Sequence, residues 1–145
     1  MQRPKTIIHI LSALDGKITG PFMRMPATQA VSEEYARIRA QYQADAWLYG
    51  TTTTKEFTSY RTPVLEQQDT VPLPPADDFI AQRNAALYYV SVDALGESGW
   101  ESGTFQKPGG PDAHVIEVLT QQAPAAYRGY LKKHGVSYIM AGRDS

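Results

Sequence analysis

Apolar residues along this chain occur in short runs separated by polar, glycine-containing and proline-containing segments. Five of these runs predict β-strands, over residues 5–14, 44–49, 87–92, 114–119 and 136–140. The first run is apolar on both faces, which predicts a central strand of a sheet that is covered on each side.

Two segments have the apolar spacing of helices. Val31, Tyr35, Ile38 and Tyr42 recur at helical intervals, so a helix is predicted to end near Tyr42, with Thr28 or Ser32 as its N-cap. A second helix is predicted over residues 124–133. Its end carries Lys-Lys-His-Gly, cations followed by a glycine that permits a left-handed residue.

The order of these elements predicts an α/β fold with a largely parallel sheet covered on both faces. Two long connections interrupt it. Residues 59–78 carry four prolines, and residues 93–110 are rich in glycine, with Trp100 and Phe105 as expected anchors in the core. Connections of this length are usually functional or mobile.

The amino-acid composition limits the classes of protein to which the chain can belong. A chain of 145 residues with 42% hydrophobic and 20% charged residues suits a single globular domain over residues 1–145. The net charge of −1 argues against nucleic acid as a partner. The absence of cysteine excludes disulfides and thiolate metal sites, and no metal-ligand spacing occurs, so no metal is expected. With no signal peptide and no membrane-spanning run, a soluble cytoplasmic protein is expected.

Candidate chemistry lies where strands end, because ligands of open α/β sheets bind beyond the carboxyl ends of the strands. Gly50 and the threonine run 51–54, with Thr53 and Thr54, offer hydroxyls and backbone N–H groups that can hold a phosphate. The same residues also suit a plain helix cap in a turn or short helix, and the sequence leaves both interpretations open.

Charged residues give two further candidates. Asp15 and Lys17 at the end of the first predicted strand could orient a polar substrate, although an Asp-Gly turn with a solvated lysine, which is common in any protein, is the simpler explanation. Arg39, on the first predicted helix, could reach a phosphate by a bidentate contact, or it could belong to a solvated helix face.

Two segments resemble a known family. The first is Arg-Pro-Lys at 3–5, leading a hydrophobic strand into Ser-Ala-Leu-Asp-Gly-Lys-Ile at 12–18. The second is Ile-Arg-Ala at 38–40, then Ala-Asp-Ala-Trp-Leu-Tyr-Gly at 44–50 and the threonines. Over about fifty residues this order is similar to the C-terminal reductase domains of riboflavin-biosynthesis proteins, in the dihydrofolate-reductase-like superfamily.

The resemblance implies a three-layer α/β/α fold, NADPH as cofactor, and reduction of a small phosphorylated heterocycle, as in the 5-amino-6-(5-phosphoribosylamino)uracil reductase step. It implies that Leu11, Ser12, Ala13 and Thr53 contact the cofactor. It places Asp15 near the reacting centre and assigns Arg39 to the substrate phosphate. It also implies a homodimer.

The sequence departs from the family pattern at three places. Phe57 stands where the family has an acidic residue, and Ala94 stands where a hydroxyl residue is expected. The family's later acidic-Gly-Gly segment, which holds cofactor phosphates, has no counterpart before Ser145, so a C-terminally incomplete domain is expected. A non-enzymatic ligand-binding or dimerising relative, and an enzyme of the dihydrofolate-reductase type, are the alternatives.

Overall fold

The computed structural model of the protein describes residues 3–66, 77–107 and 110–144. The chain divides into two compact units, Met1–Ala44 and Asp45–Ser145. Within the described residues there are five β-strands and three α-helices, and the sheet is mostly parallel. The predicted α/β class with a largely parallel sheet is therefore confirmed. No helix of the described residues is long and apolar enough to cross a membrane.

The first unit contains a short 3-10 helix, Pro21–Arg24, and the helix α1, Pro26–Gln41. The predicted helix is thus confirmed, but Thr28 and Ser32 are not its N-cap. The helix begins earlier because Pro26, whose fixed φ suits the first helical position, follows the extended residue Met25. The Thr28 hydroxyl donates instead to the Phe22 carbonyl at 2.5 Å.

The strand predicted over residues 5–14 is wrong, because residues 3–13 have no regular secondary structure. A strand requires backbone hydrogen bonds to a neighbouring strand, and an apolar run alone does not supply them. Here the His9 carbonyl accepts a hydrogen bond from the Tyr35 hydroxyl at 3.0 Å, and the His9 ring stacks on the Tyr35 ring at 4.0 Å. The apolar run therefore attaches to α1 through His9.

The second unit is built on the sheet, whose strands are β1 (Ala46–Gly50), β2 (Tyr88–Val92), β3 (Thr104–Gln106), β4 (Asp112–Leu119) and β5 (Ser137–Met140). β1, β2 and β4 are neighbours in that order and run parallel. The other edge of β4 is shared: its first residues pair antiparallel with β3, and Ile116 to Leu119 pair parallel with β5.

The core lies on one face of this sheet. The helices α2 (Thr51–Phe57) and α3 (Ala125–Lys133) contribute buried side chains there, and the loop after β2 adds Trp100. Phe105 packs against the same cluster, as predicted. Strands 44–49, 87–92, 114–119 and 136–140 and helix 124–133 are confirmed within about two residues, whereas β3 was not predicted. Residues 67–76 of the predicted Pro-rich connection lie outside the described residues.

Candidate functional site

The carboxyl ends of the four parallel strands form one rim of the second unit. Backbone and hydroxyl hydrogen bonds link the segments that leave these strands. The Thr51 hydroxyl donates to the Val92 carbonyl at 3.0 Å, and the Asp93 N–H donates to the Val118 carbonyl at 3.0 Å. Farther along, the Thr120 hydroxyl donates to the Ala94 carbonyl at 2.8 Å. The rim is therefore a hydrogen-bonded arrangement of small and polar residues at the position where open α/β sheets bind ligands.

The buried side chain of Asp93 fixes part of this rim by hydrogen bonds. Its side chain is fully buried, and its Oδ2 accepts hydrogen bonds from the Glu97 and Ser98 N–H groups, both at 2.8 Å. The loop after β2 therefore turns back over the strand end. An ion pair between Lys55 and Glu97 at 3.0 Å adds a contact from α2 to the same loop.

Gly50 and Thr53 lie where the sequence predicted a phosphate-holding turn, at the junction of β1 and α2. A Cβ added at Gly50 would meet no heavy atom within 4 Å, so its backbone is open to close approach. Thr53 is half-buried. Thr54 is fully buried instead: its hydroxyl donates to Ser91 Oγ at 3.0 Å and lies 3.1 Å from the Tyr89 hydroxyl. The Thr54 side chain thus joins α2 to β2 within the core.

A buried carboxyl, Glu117, lies below the rim on β4. Burial, and then the charge of Asp93, raise its pKa well above the usual value, while the Trp100 indole and the Ser91 hydroxyl act in the opposite direction. Trp100 Nε1 donates to Glu117 Oε1. Oε2 has no hydrogen bond of ordinary geometry within the described part of the chain. No motif or spacing predicted a role for Glu117, although a glutamate inside an apolar strand is visible in the sequence.

An aromatic cluster on the core face of β1 is the second feature that the sequence did not reveal. Trp47 and Tyr49 point to the same face because strand residues two apart do so. Phe57, at the end of α2, meets Tyr49 edge-on with ring centroids 5.4 Å apart. The Lys107 ammonium lies over all three rings. Where the family pattern has an acidic residue, Phe57 thus presents a ring to a lysine.

The remaining predicted site residues belong to the first unit. Asp15 and Lys17 form an exposed ion pair at 2.7 Å, and the Lys17 hydrogen bonds hold the pKa of Asp15 below its usual value. Leu11 and Ala13 are half-buried and Ser12 is exposed. The Arg39 guanidinium lies 5.9 Å from the centre of the Tyr35 ring. The structure therefore brings Asp15 and Lys17 together, and Gly50 and Thr53 together in the second unit.

Groups of three or more potential metal-ligating side chains do not occur among residues 3–66, 77–107 and 110–144. A cleft of about 240 Å³ lies beside α3, lined by Val64, Glu66, Ala126, Gly129, Tyr130, Lys133 and His134. None of these lining residues belongs to the rim at Gly50 and Asp93.

The comparisons with known proteins leave the family open. No protein family model, no curated protein and no solved structure matches the chain.

Proposed function

We propose that the protein is an NADPH-dependent reductase of a small phosphorylated heterocycle, with a dihydrofolate-reductase-like fold, related to the reductases of riboflavin biosynthesis. The observation that carries this proposal is the rim formed by the four parallel strand ends. It combines an unobstructed glycine, Gly50, with the half-buried Thr53 and a loop that Asp93 fixes. Bound NADPH would supply a hydride, so the task of the protein is to align donor and acceptor.

The proposal predicts that the chain binds NADPH and is stabilised by it. A ligand present at about 100 times its Kd stabilises the folded state by roughly 2.7 kcal/mol. For a chain of this size that raises the midpoint of thermal unfolding by roughly 5 to 10 °C. Thermal unfolding with and without millimolar NADPH measures the shift, and the absence of any shift contradicts the proposal.

Substitution of Gly50 tests the position of the cofactor. Gly50 has φ −89° and open space around an added Cβ, but it is also the N-cap of α2, where alanine is a poorer cap, so Gly50→Ala should change the free energy of unfolding of the unliganded chain by no more than about 1 kcal/mol. If NADPH approaches this backbone, the added methyl weakens NADPH binding by about tenfold or more, since roughly 1.4 kcal/mol corresponds to that factor. Gln82→Ala is the control, because Gln82 is exposed and precedes the amino end of β2.

A ligand-binding relative without chemistry is the second candidate. It is favoured by the internal use of the Thr54 hydroxyl and the Asp93 carboxylate, which hydrogen bond within the protein. Asp15→Asn separates the two candidates, because Asp15 is exposed and its replacement leaves the core intact. A reductase loses NADPH oxidation at 340 nm in this variant and keeps NADPH binding. A binding relative shows no oxidation in either form.

A further inference from the structure

Three aromatic rings surround one ammonium group in the second unit. Lys107 Nζ lies 4.3 Å from the centre of the Tyr49 ring, 4.7 Å from that of Phe57 and 4.8 Å from that of Trp47. Cations within about 6 Å of a ring centre are attracted by the ring quadrupole. These rings therefore form a cage for a positive charge, and Lys107, only 8% exposed, occupies it.

The cage walls are fixed in place by the fold. Trp47 and Tyr49 belong to β1, whose pairing with β2 sets their spacing. Tyr49 also stacks on Tyr89 at 5.2 Å, and Phe57 stacks on Phe105 at 5.9 Å. Because each of these two walls stacks on a further ring, the cage is expected to persist when its occupant leaves.

Lys107 Nζ also donates a hydrogen bond to the Tyr49 hydroxyl at 2.5 Å, a contact that a quaternary ammonium group cannot make, so such a group would be held by the three rings alone. A lysine ammonium is a compact, strongly hydrated charge, and it gives up water to enter a ring-lined site. A quaternary ammonium group carries the same charge under a shell of methyl groups that contact rings directly. Phe57 is 39% exposed, and Trp47 and Tyr49 are half-buried, so solvent reaches the walls.

We propose that Trp47, Tyr49 and Phe57 form a binding site for the quaternary ammonium group of a small molecule, with Lys107 as its internal occupant. The ligand displaces the Lys107 side chain, which follows directly after β3, and takes its place between the rings. This site is independent of the reductase activity proposed above, and its test does not require NADPH.

The test compares the unmodified chain with Lys107→Met, which keeps an apolar stem and removes the charge. Both are titrated with tetramethylammonium chloride and choline chloride by calorimetry. We expect Lys107→Met to bind them about tenfold more tightly than the unmodified chain, a factor within the range of one cation–π contact. Adding Trp47→Leu to Lys107→Met should weaken binding by a similar factor. Equal affinity in all three forms overturns the proposal.

Two controls test whether binding depends on the three-ring cage and whether it depends on the positive charge of the ligand. Lys132→Met removes an ammonium that lies over two rings of the described residues, those of Phe79 and Tyr138, and it should leave the affinity of the unmodified chain unchanged. The uncharged analogue 3,3-dimethylbutan-1-ol has the shape of choline. Binding of this alcohol as tightly as choline would show an apolar cleft rather than a cation site, and would overturn the proposal.

A measurement on the unmodified chain keeps the proposal testable if Lys107→Met does not fold. Ring currents in the cage should shift the Lys107 ε-methylene protons upfield in a ¹H–¹³C spectrum. Saturating tetramethylammonium chloride should return this signal toward the position of a free lysine, whereas sodium chloride of equal concentration should not. If the signal does not respond to tetramethylammonium, Lys107 is not displaced and the proposal fails.

Discussion

Glu117 lies in the middle of β4 between Ile116 and Val118, and it is fully buried. Burial of a carboxylate is costly, so the neutral acid is favoured and the pKa rises. The nearby charge of Asp93 acts in the same direction, whereas the Trp100 indole and the Ser91 hydroxyl partly oppose it. The folded chain therefore favours the protonated form of Glu117.

This environment makes the stability of the chain depend on pH. The pKa of Glu117 in the folded chain lies above its value in the unfolded chain, which is near 4.5. The contribution of Glu117 to the free energy of unfolding is therefore fully present below pH 4.5, and it is lost as the pH rises through the folded-state pKa. Glu117→Gln replaces the neutral acid by an amide of similar shape that does not titrate, so the variant should lose less stability as the pH rises. We expect the variant to unfold at a temperature higher by roughly 3 °C or more at pH 8, where about 1 kcal/mol corresponds to ~2–4 °C.

Thermal unfolding of both chains between pH 5 and pH 8 measures this effect. At pH 5 the two midpoints should lie close together, because Glu117 is then largely neutral in the folded chain. An equal difference at both pH values would mean that the glutamate does not titrate in this range, and would contradict the prediction.

Three residues show which roles could be predicted from the sequence and which could not. Gly135 has φ +66°, so the glycine predicted after α3 is the left-handed residue that the helix end requires. Glu117 and Lys107 escaped prediction because their roles depend on neighbours distant in sequence, such as Trp100 on a loop and Trp47 on β1. Spacing along the chain contains no information on those contacts.

At the scale of elements, periodicity identified four of the five strands because each has an apolar run of ordinary length. β3 has three residues and exists through antiparallel pairing with the start of β4, which is a tertiary contact. The apolar run at 5–14 failed for the opposite reason. Its pattern is that of a strand, but residues 3–13 form no strand in the structure.

The loop after β2 packs closely on α3, and a pair of glycines tests this contact. Gly96 has φ +72°, and a Cβ there would lie 2.4 Å from Tyr127 Cδ1. Tyr127 cannot move easily, since it is fully buried and its hydroxyl donates to the Ser98 carbonyl at 2.7 Å. Gly96→Ala should therefore lower the free energy of unfolding by about 2 to 5 kcal/mol, from left-handed strain and overpacking.

Gly135→Ala is the matched control for this element contact. Gly135 has a similar positive φ, but nothing lies within 4 Å of an added Cβ. Its cost should be the left-handed strain alone, about 1 to 2 kcal/mol. Urea unfolding of both variants gives the difference. If the two substitutions cost the same, Tyr127 yields to the new methyl group and the contact between loop and helix is not tight.

At the scale of the whole molecule, buried residues are unevenly distributed between the two units. All five strands and the buried hydrophobic core belong to Asp45–Ser145. Among residues 3–44, no side chain is fully buried, and several large apolar side chains of residues 7–18 are exposed. Since burial of apolar surface is the main favourable contribution to folding, the second unit holds most of that contribution.

A fragment of residues 45–145 should therefore fold without residues 1–44. We expect cooperative urea unfolding and the near-ultraviolet circular dichroism of the buried Trp100. A fragment of residues 1–44 is the control. Its 16-residue α1 should be only marginally helical alone, because isolated helices of about this length are marginal in water. A non-cooperative transition in fragment 45–145 would show that its core needs the first 44 residues.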